Sequence, residues 1–97
     1  MTDSEKLKHL YLLLDEAEEL ASQYTGGYSN AFFSAEEFHL ALASSIAKLK
    51  DGDKDQINIL WLWFAPTCSW DDFITNDGIV LGNKIFELLD ELKVNNQ

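Results

Sequence analysis

The stretch Ile57-Asn-Ile-Leu-Trp-Leu-Trp-Phe-Ala65 decides the fold class of this chain. It is apolar on almost every side, as a buried helix would be, yet its odd-numbered residues also alternate as they would in a strand. We favour a helix, because Asp53 and Gln56 resemble an N-terminal cap in front of it and the chain offers no convincing second strand. Such a helix must be largely buried, or partly buried with a partner covering the remainder.

The clearest local signal lies upstream, at Phe33-Ser-Ala-Glu-Glu-Phe38. Ser34 is placed as an N-cap with Glu37 three residues later, and Phe33 is placed to pack on Phe38 as a hydrophobic staple. The helix that starts here is predicted to close at Asp51-Gly52, where glycine readily takes the left-handed conformation. Its core-facing positions are Phe38, Leu42, Ser45 or Ile46, and Leu49.

A longer helix is predicted before it, from about Asp3 to Thr25. Thr2 and Glu5 have capping-box spacing, and Gly26-Gly27 supplies the stop. Apolar residues recur in steps of three and four, as on one face of a helix. They are Leu7, Leu10, Leu14, Ala17, Ala21 and Tyr24.

The last third of the chain predicts a short turn and a final helix. Pro66 ends the apolar segment, and Ser69 with Asp72 is predicted to cap the turn that follows. Thr75 to Gly78 has the composition of a loop. Gly82 weakens the final helix, which indicates a close helix crossing there. The apolar stripe of that helix is Leu81, Ile85, Leu88 and Leu92, with Phe86 and Leu89 beside it.

Four helices joined by short connections predict an all-α fold, a small and roughly antiparallel four-helix bundle. At 97 residues the chain is too short for two adequate cores, so residues 1–97 are interpreted as a single helical domain. Apolar residues make up 46% of the chain, which is typical of a globular domain and far from a disordered one.

Charge is the most informative bulk property. The chain has 17 acidic residues against 7 lysines and no arginine, for a formal net charge of -10. Nucleic acid is therefore not an expected ligand, because phosphate binding relies on clustered cations. No lysine occurs between Lys8 and Lys48 or between Lys54 and Lys84, and these segments carry six and four acidic residues.

Two acidic stretches are the candidate partner-binding residues. Asp15, Glu16, Glu18 and Glu19 fall off the apolar seam of the first helix and are expected to form a solvated acidic band. Trp70, Asp71 and Asp72 join an aromatic side chain to carboxylates, a combination found where proteins bind basic partners. The alternatives are that the acids only keep the protein soluble and that the tryptophans fill the core.

Catalytic and metal chemistry find little support in the sequence. Glu36 and His39 have the Glu-x-x-His spacing of di-iron sites, but those sites need a second such pair. Paired Asp71 and Asp72 suit a helix start as well as acid-base catalysis, and Cys68 has no base near it in sequence. We therefore expect no catalytic residue, no metal and no cofactor.

The cellular location expected from the sequence is the cytoplasm. The first residues carry no basic region leading into an apolar core, so no secretory signal is predicted. The apolar run from Ile59 to Pro66 is too short to span a bilayer, and Cys68 has no second cysteine with which to form an internal disulfide. No membrane association is therefore expected.

The run Trp61-Leu-Trp-Phe-Ala-Pro-Thr-Cys-Ser-Trp-Asp-Asp-Phe73 resembles segments of small bacterial proteins of unknown function. In size, acidity and predicted helicity the whole chain is similar to immunity proteins, which neutralise toxins. That resemblance implies a stoichiometric inhibitor whose acidic face covers a basic active site, often that of a nuclease. No inhibitory residue is carried over from it.

The favoured hypothesis is an acidic protein-interaction module that binds a basic protein, and its specific form is an immunity-type inhibitor of a toxin or nuclease. The first alternative is a structural subunit or homodimer that uses the apolar surface of the third segment. The second is a small carboxylate-based enzyme or metal protein.

Overall fold

The amphipathic segments of the chain form helices that close into a bundle in the computed structural model. The structure describes residues 3–26, 32, 34–65, 69–74 and 78–95, without the side chains of Asp3, Asp72, Val94 and Asn95. Its helices are α1 (Asp3–Ala21), α2 (Ala35–Lys50), α3 (Gln56–Phe64), the short α4 (Ser69–Phe73) and α5 (Ile79–Asn95). No strand occurs among the described residues, which confirms the predicted all-α fold.

Helix α2 begins and ends as its sequence predicts. Ser34 is the N-cap in an extended conformation, and its Oγ accepts a hydrogen bond from the Glu37 backbone N–H at 3.2 Å. Beyond the C-cap Asp51, Gly52 takes a φ of 106°, a value that glycine adopts without strain. Ser45 and Ile46 are both buried. Phe33, the predicted staple partner, lies outside the described residues.

Helix α1 is shorter than predicted, ending at Ala21 rather than near Thr25. The Ser22 hydroxyl donates to the Glu19 carbonyl at 2.6 Å, and the next two backbone N–H groups bond three residues back instead of four. This tight turn ends the helix before Gly26, which has a φ of 72°. The predicted cap Thr2 and the second glycine, Gly27, lie outside the described residues.

The apolar segment whose secondary structure was ambiguous is helix α3, but the predicted cap at Asp53 and Gln56 is wrong. It begins at Gln56 with Asp55 at the N-cap position, where the side chain makes no capping hydrogen bond. Asp53 instead accepts from the Asp55 backbone N–H and from the Gln56 side chain, both at 3.1 Å. Asp53 therefore orders the turn before the helix. The Gln56 side chain also connects α3 to α2, because it accepts a hydrogen bond from the Ser45 hydroxyl at 2.6 Å.

The four longer helices form a closed ring in which neighbours run antiparallel. Helix α1 packs on α2 and α5, and α3 packs on the same two helices, so α1 and α3 lie diagonally opposite. Lys6 near the start of α1 is paired with Glu91 near the end of α5. His39 near the start of α2 contacts Glu18 near the end of α1. This arrangement agrees with the predicted antiparallel bundle.

The region predicted as a capped turn is the five-residue helix α4. Ser69 and Asp72 both lie inside it, and Ser69 is buried rather than placed at an exposed cap. Pro66, Cys68 and the predicted loop residues 75–77 lie outside the described residues. The main consequence of α4 is that it carries Trp70 into the core, where the indole contacts Phe38 and Phe64.

Two glycines at the start of α5 make room for Trp70. Its Nε1 donates to the Gly78 carbonyl at 3.0 Å. A Cβ added at Gly78 would lie 2.9 Å from Trp70 Cζ2, and one added at Gly82 would overlap the indole ring. The predicted close approach at Gly82 is made by the Trp70 side chain of α4, and not by the backbone of a crossing helix.

We expect Gly82→Ala to destabilise the protein. The higher helix propensity of alanine would by itself raise the free energy of unfolding by about 1 kcal/mol. The overlap of the added Cβ with Trp70 contributes a loss of about 1–3 kcal/mol, so we expect a net loss. Urea denaturation followed by circular dichroism measures the net loss. Asn83→Ala, an exposed change on the next residue, is the control and should shift stability by less than about 0.5 kcal/mol. A more stable Gly82→Ala protein would contradict the packing described here.

The buried hydrogen bond between Ser45 and Gln56 generates a second prediction. Ser45→Ala leaves the Gln56 carbonyl oxygen without its donor, and we expect the free energy of unfolding to fall by about 1–2 kcal/mol. Ser44→Ala changes the exposed neighbour in the same helix and should stay within about 0.5 kcal/mol. Equal losses in the two variants under chemical denaturation would show that the bond contributes nothing.

Candidate acidic interface

The antiparallel ring gathers most lysines of the chain at one end of the bundle. Lys6 and Lys8 lie at the start of α1, Lys48 and Lys50 at the end of α2, and Lys93 near the end of α5. Lys54 precedes α3 at the same end. Lys84 is the exception, since it lies in the first half of α5 beside His9 and Leu13 of α1.

The opposite end, which we call the acidic end, carries carboxylates without a lysine among the described residues. It is formed where α1 and α3 finish and where α2, α4 and α5 begin. Its acidic residues are Glu16, Glu18, Glu19, Glu36, Glu37 and Asp71. The two lysine-free segments of the sequence therefore meet at one end of the fold.

Distance keeps the two ends electrostatically separate. Helix α1 alone is about 28 Å long at 1.5 Å per residue, and the longest dimension of the molecule is 38 Å. The screening length at 0.1 M salt is about 10 Å. Apart from Lys50, whose side chain reaches Asp15, the lysines at one end therefore do little to neutralise the carboxylates at the other.

The acidic band of α1 lies at the solvent surface as its sequence predicts, with Glu18 half-buried and the other three residues exposed. Two of its carboxylates contact cationic or titratable groups of α2. The Lys50 Nζ is 2.6 Å from Asp15 Oδ1, and the His39 Nε2 is 3.0 Å from Glu18 Oε1. These contacts fix the orientation of the band relative to α2.

A groove of about 240 Å³ runs between α1 and α2 beside this band. Asp15 and Glu18 of α1 line it, together with Ala43, Ile46, Ala47 and Lys50 of α2. The small alanine side chains on α2 leave the space. Sequence reasoning missed this part of the site, although alanines four residues apart on an exposed helix face were the available signal.

The second predicted binding stretch is divided by the structure. Trp70 is 1% exposed, so its indole is in the core and is not available to a partner. This corrects its assignment as a binding anchor and agrees with the alternative that it fills the core. Asp71 is exposed at the acidic end, and Asp72 lies in α4 with its side chain outside the description.

The residues considered for metal binding do not converge on one site. Glu36 Oε1 accepts from the Gly26 backbone N–H at 2.6 Å, whereas His39 contacts Glu18. Among the described residues no group of three or more histidines, cysteines and acids is arranged to hold a metal ion.

A further groove, of about 190 Å³ and lined in part by His9, Lys84 and Glu87, has mixed charge.

Comparisons of the chain with models of protein families, with curated proteins and with solved structures give no match. The resemblance to immunity proteins therefore stays a prediction. Within the described ranges, no helix is both long enough and apolar enough to cross a membrane. What the fold and the site define is an acidic all-α bundle whose lysines lie mostly at one end, which leaves the carboxylates at the other end without a lysine among the described residues.

Mutual repulsion within the acidic band generates a third prediction. Glu19 follows Asp15 by four residues and Glu16 by three, so Glu19→Gln removes its repulsion with these two like charges. We expect the free energy of unfolding at low ionic strength to rise by about 0.5 kcal/mol. In about 1 M salt, where the screening length falls to about 3 Å, the gain should disappear.

The control for this substitution is Asp51→Asn, which removes an exposed acid at the lysine end, the end of the bundle that carries most of the lysines. Asp51 is next to Lys50 and three residues from both Lys48 and Lys54, so the change should give no gain. Thermal unfolding across a salt series compares the two. A gain that persists in high salt, or one that Asp51→Asn matches, would contradict repulsion within the band.

Proposed function

We propose that this chain is a protein-interaction module that binds a basic protein through its acidic end, with the acidic band of α1 making the first contacts. The observation that carries the proposal is the meeting of the two lysine-free segments at one end of the bundle. Clustered charge of one sign raises the rate at which an oppositely charged partner associates. Acids placed only for solubility would not require one end of the bundle to be free of lysine.

The groove between α1 and α2 supports this function at the level of single side chains. A lysine or arginine has an apolar stem and a cationic head. The stem matches the alanine side chains that line the groove, and the head matches the carboxylates of Asp15 and Glu18. The chain makes this contact internally, because Lys50, which also lines the groove, binds Asp15 at 2.6 Å. In the proposed complex a basic side chain of the partner contacts Glu18 and the exposed acids beyond it.

The specific form that we propose is an immunity-type inhibitor, in which the acidic end covers the basic active site of a toxin or nuclease. Its support is the resemblance in size and acidity together with the one-sided charge. A toxin gene beside the gene for this chain is the first observation to seek. Inhibition of the purified toxin at a one-to-one ratio is then the functional assay.

A charge-reversal experiment tests the interface. A partner is captured from native lysate, purified, and its association with the chain is measured by surface plasmon resonance across a salt series. Glu16→Lys with Glu19→Lys should slow association about tenfold at low salt and flatten its salt dependence, because the attraction that steers encounter is removed. Both residues are exposed, so the fold should tolerate the change.

The matched control is Asp51→Lys with Asp55→Lys. It alters the net charge by the same amount, since each pair takes the formal charge from -10 to -6, but it acts at the lysine end. We expect a clearly smaller effect on association. An acidic partner, binding insensitive to salt, or equal losses in the two double variants would contradict an interface at the acidic end.

A further inference from the structure

Helix α2 carries an apolar stripe that continues the groove between α1 and α2 toward the acidic end. Ala43 and Ala47 line the groove, and Leu40 precedes Ala43 by three residues. Side chains at steps of three and four lie on one face of a helix, so the three residues form a single row. We call Leu40, Ala43 and Ala47 the α2 stripe.

The α2 stripe is open to solvent. Leu40 is 69% exposed, the largest fraction among the large apolar side chains that the structure describes. Ala47 is exposed and Ala43 is half-buried. A single exposed leucine is common on protein surfaces and indicates nothing alone. Here it is in line with an open groove of about 240 Å³, so one segment of a partner can cover the leucine and place a side chain in the groove.

The charges that border the α2 stripe are mostly negative. We count the groove-lining residues of α1 and those at or near the ends of α2 that are three or four positions from a stripe residue. The carboxylates are those of Asp15, Glu18, Glu36, Glu37 and Asp51. The other titratable groups are Lys50, whose Nζ is 2.6 Å from Asp15 Oδ1, and His39, whose Nε2 is 3.0 Å from Glu18 Oε1. Five carboxylates therefore surround the stripe, against one lysine that already binds one of them.

We propose that the α2 stripe and the groove hold an amphipathic, basic helix of the partner, with its apolar face on the stripe and its cationic side chains toward the carboxylates. This proposal rests on the proposed function and adds the element of the partner that is recognised. A helix suits the site because the side-chain ridges of one helix fit the grooves of others. An extended segment binds best by adding a strand to a sheet edge, and the described residues include no strand.

Other occupants suit this surface less well. A small-molecule site encloses most of its ligand, whereas Asp15, Ala47 and Lys50 around this groove are all exposed. A second copy that presented the same face would bring its own five carboxylates against these, and like charges in contact repel. An apolar stripe with a negative border therefore selects a helix that is apolar on one face and basic beside it.

Peptide probes test this recognition, with binding to the full chain measured by isothermal titration calorimetry. The first probe is a peptide of about 14 residues, long enough to form a helix, that contains only leucine and lysine and has its leucines on one face. The second has the same composition in an order that scatters the leucines. The ordered peptide should bind about tenfold more tightly, because its leucines contact the stripe together while its lysines reach the carboxylates.

A pair of leucine substitutions locates the contact. Leu40→Gln should weaken binding of the ordered peptide about tenfold and leave binding of the scattered peptide unchanged. Leu62→Gln makes the same change at a leucine that is 58% exposed on α3, outside the groove, and should leave both peptides unaffected. Both leucines are exposed, so the fold should tolerate each change, and circular dichroism checks it.

A pair of lysine substitutions tests the role of the border charges. Lys50→Gln should strengthen binding of the ordered peptide about threefold, because it frees the Asp15 carboxylate for a lysine of the peptide. Lys48→Gln changes the net charge equally, since each variant goes from -10 to -11. No residue of the α2 stripe is three or four positions from Lys48, so its gain should be clearly smaller.

The proposal is overturned if the ordered and scattered peptides bind equally well, or if the ordered peptide does not bind at about 1 mM. Equal losses in Leu40→Gln and Leu62→Gln would overturn it as well. These outcomes leave the acidic-end proposal to its own test, because the charge reversals at Glu16 and Glu19 are measured with the captured partner and leave Leu40 in place.

Discussion

The alternation of helix direction is the constraint on which the charge distribution of this protein depends. Each helix of the four-membered ring runs opposite to its two neighbours, so the end of α1 meets the starts of α2 and α5. If α1 and α2 ran parallel, Lys6 and Lys8 would lie beside Glu36 and Glu37 and the charges would largely compensate. The uneven charge of the sequence becomes an uneven surface because the helices are antiparallel.

Burial of Trp70 completes the acidic end from the inside. The indole fills the space between α4 and α5 that Gly78 and Gly82 leave open, and the Gly78 carbonyl satisfies its N–H group. A buried indole without a hydrogen-bond partner would be destabilising, so the glycines and the carbonyl act together. This packing holds α4 against the bundle and thereby positions Asp71 at the acidic end.

Sequence reasoning succeeded where the signal was local and failed where packing decided. The Ser34 cap, Gly52 and the apolar stripes could be predicted because each depends on a few neighbouring residues. The role of Trp70 could not, because an aromatic residue beside two carboxylates has the same local pattern on a surface and in a core. Likewise, Asp53 and Gln56 have the spacing of a cap, but Ser45 of α2 draws Gln56 into a buried hydrogen bond. The groove beside Asp15 needs two helices, so the alanines four residues apart on α2 could indicate it only together with the position of α1.

A net charge of -10 does not act evenly over the surface of this protein. Repulsion between proteins acts over about one screening length, roughly 8 Å at physiological salt, which is shorter than any dimension of the molecule. What matters at a contact is therefore the charge within that distance, which at α3 includes its N-cap Asp55 and, against Trp61, Asp90 and Lys93 of α5. The same short range makes the acidic end strongly attractive to a basic surface brought close to it. The acidic band therefore acts at the surface of α1, away from α3, because the two helices lie on opposite sides of the core.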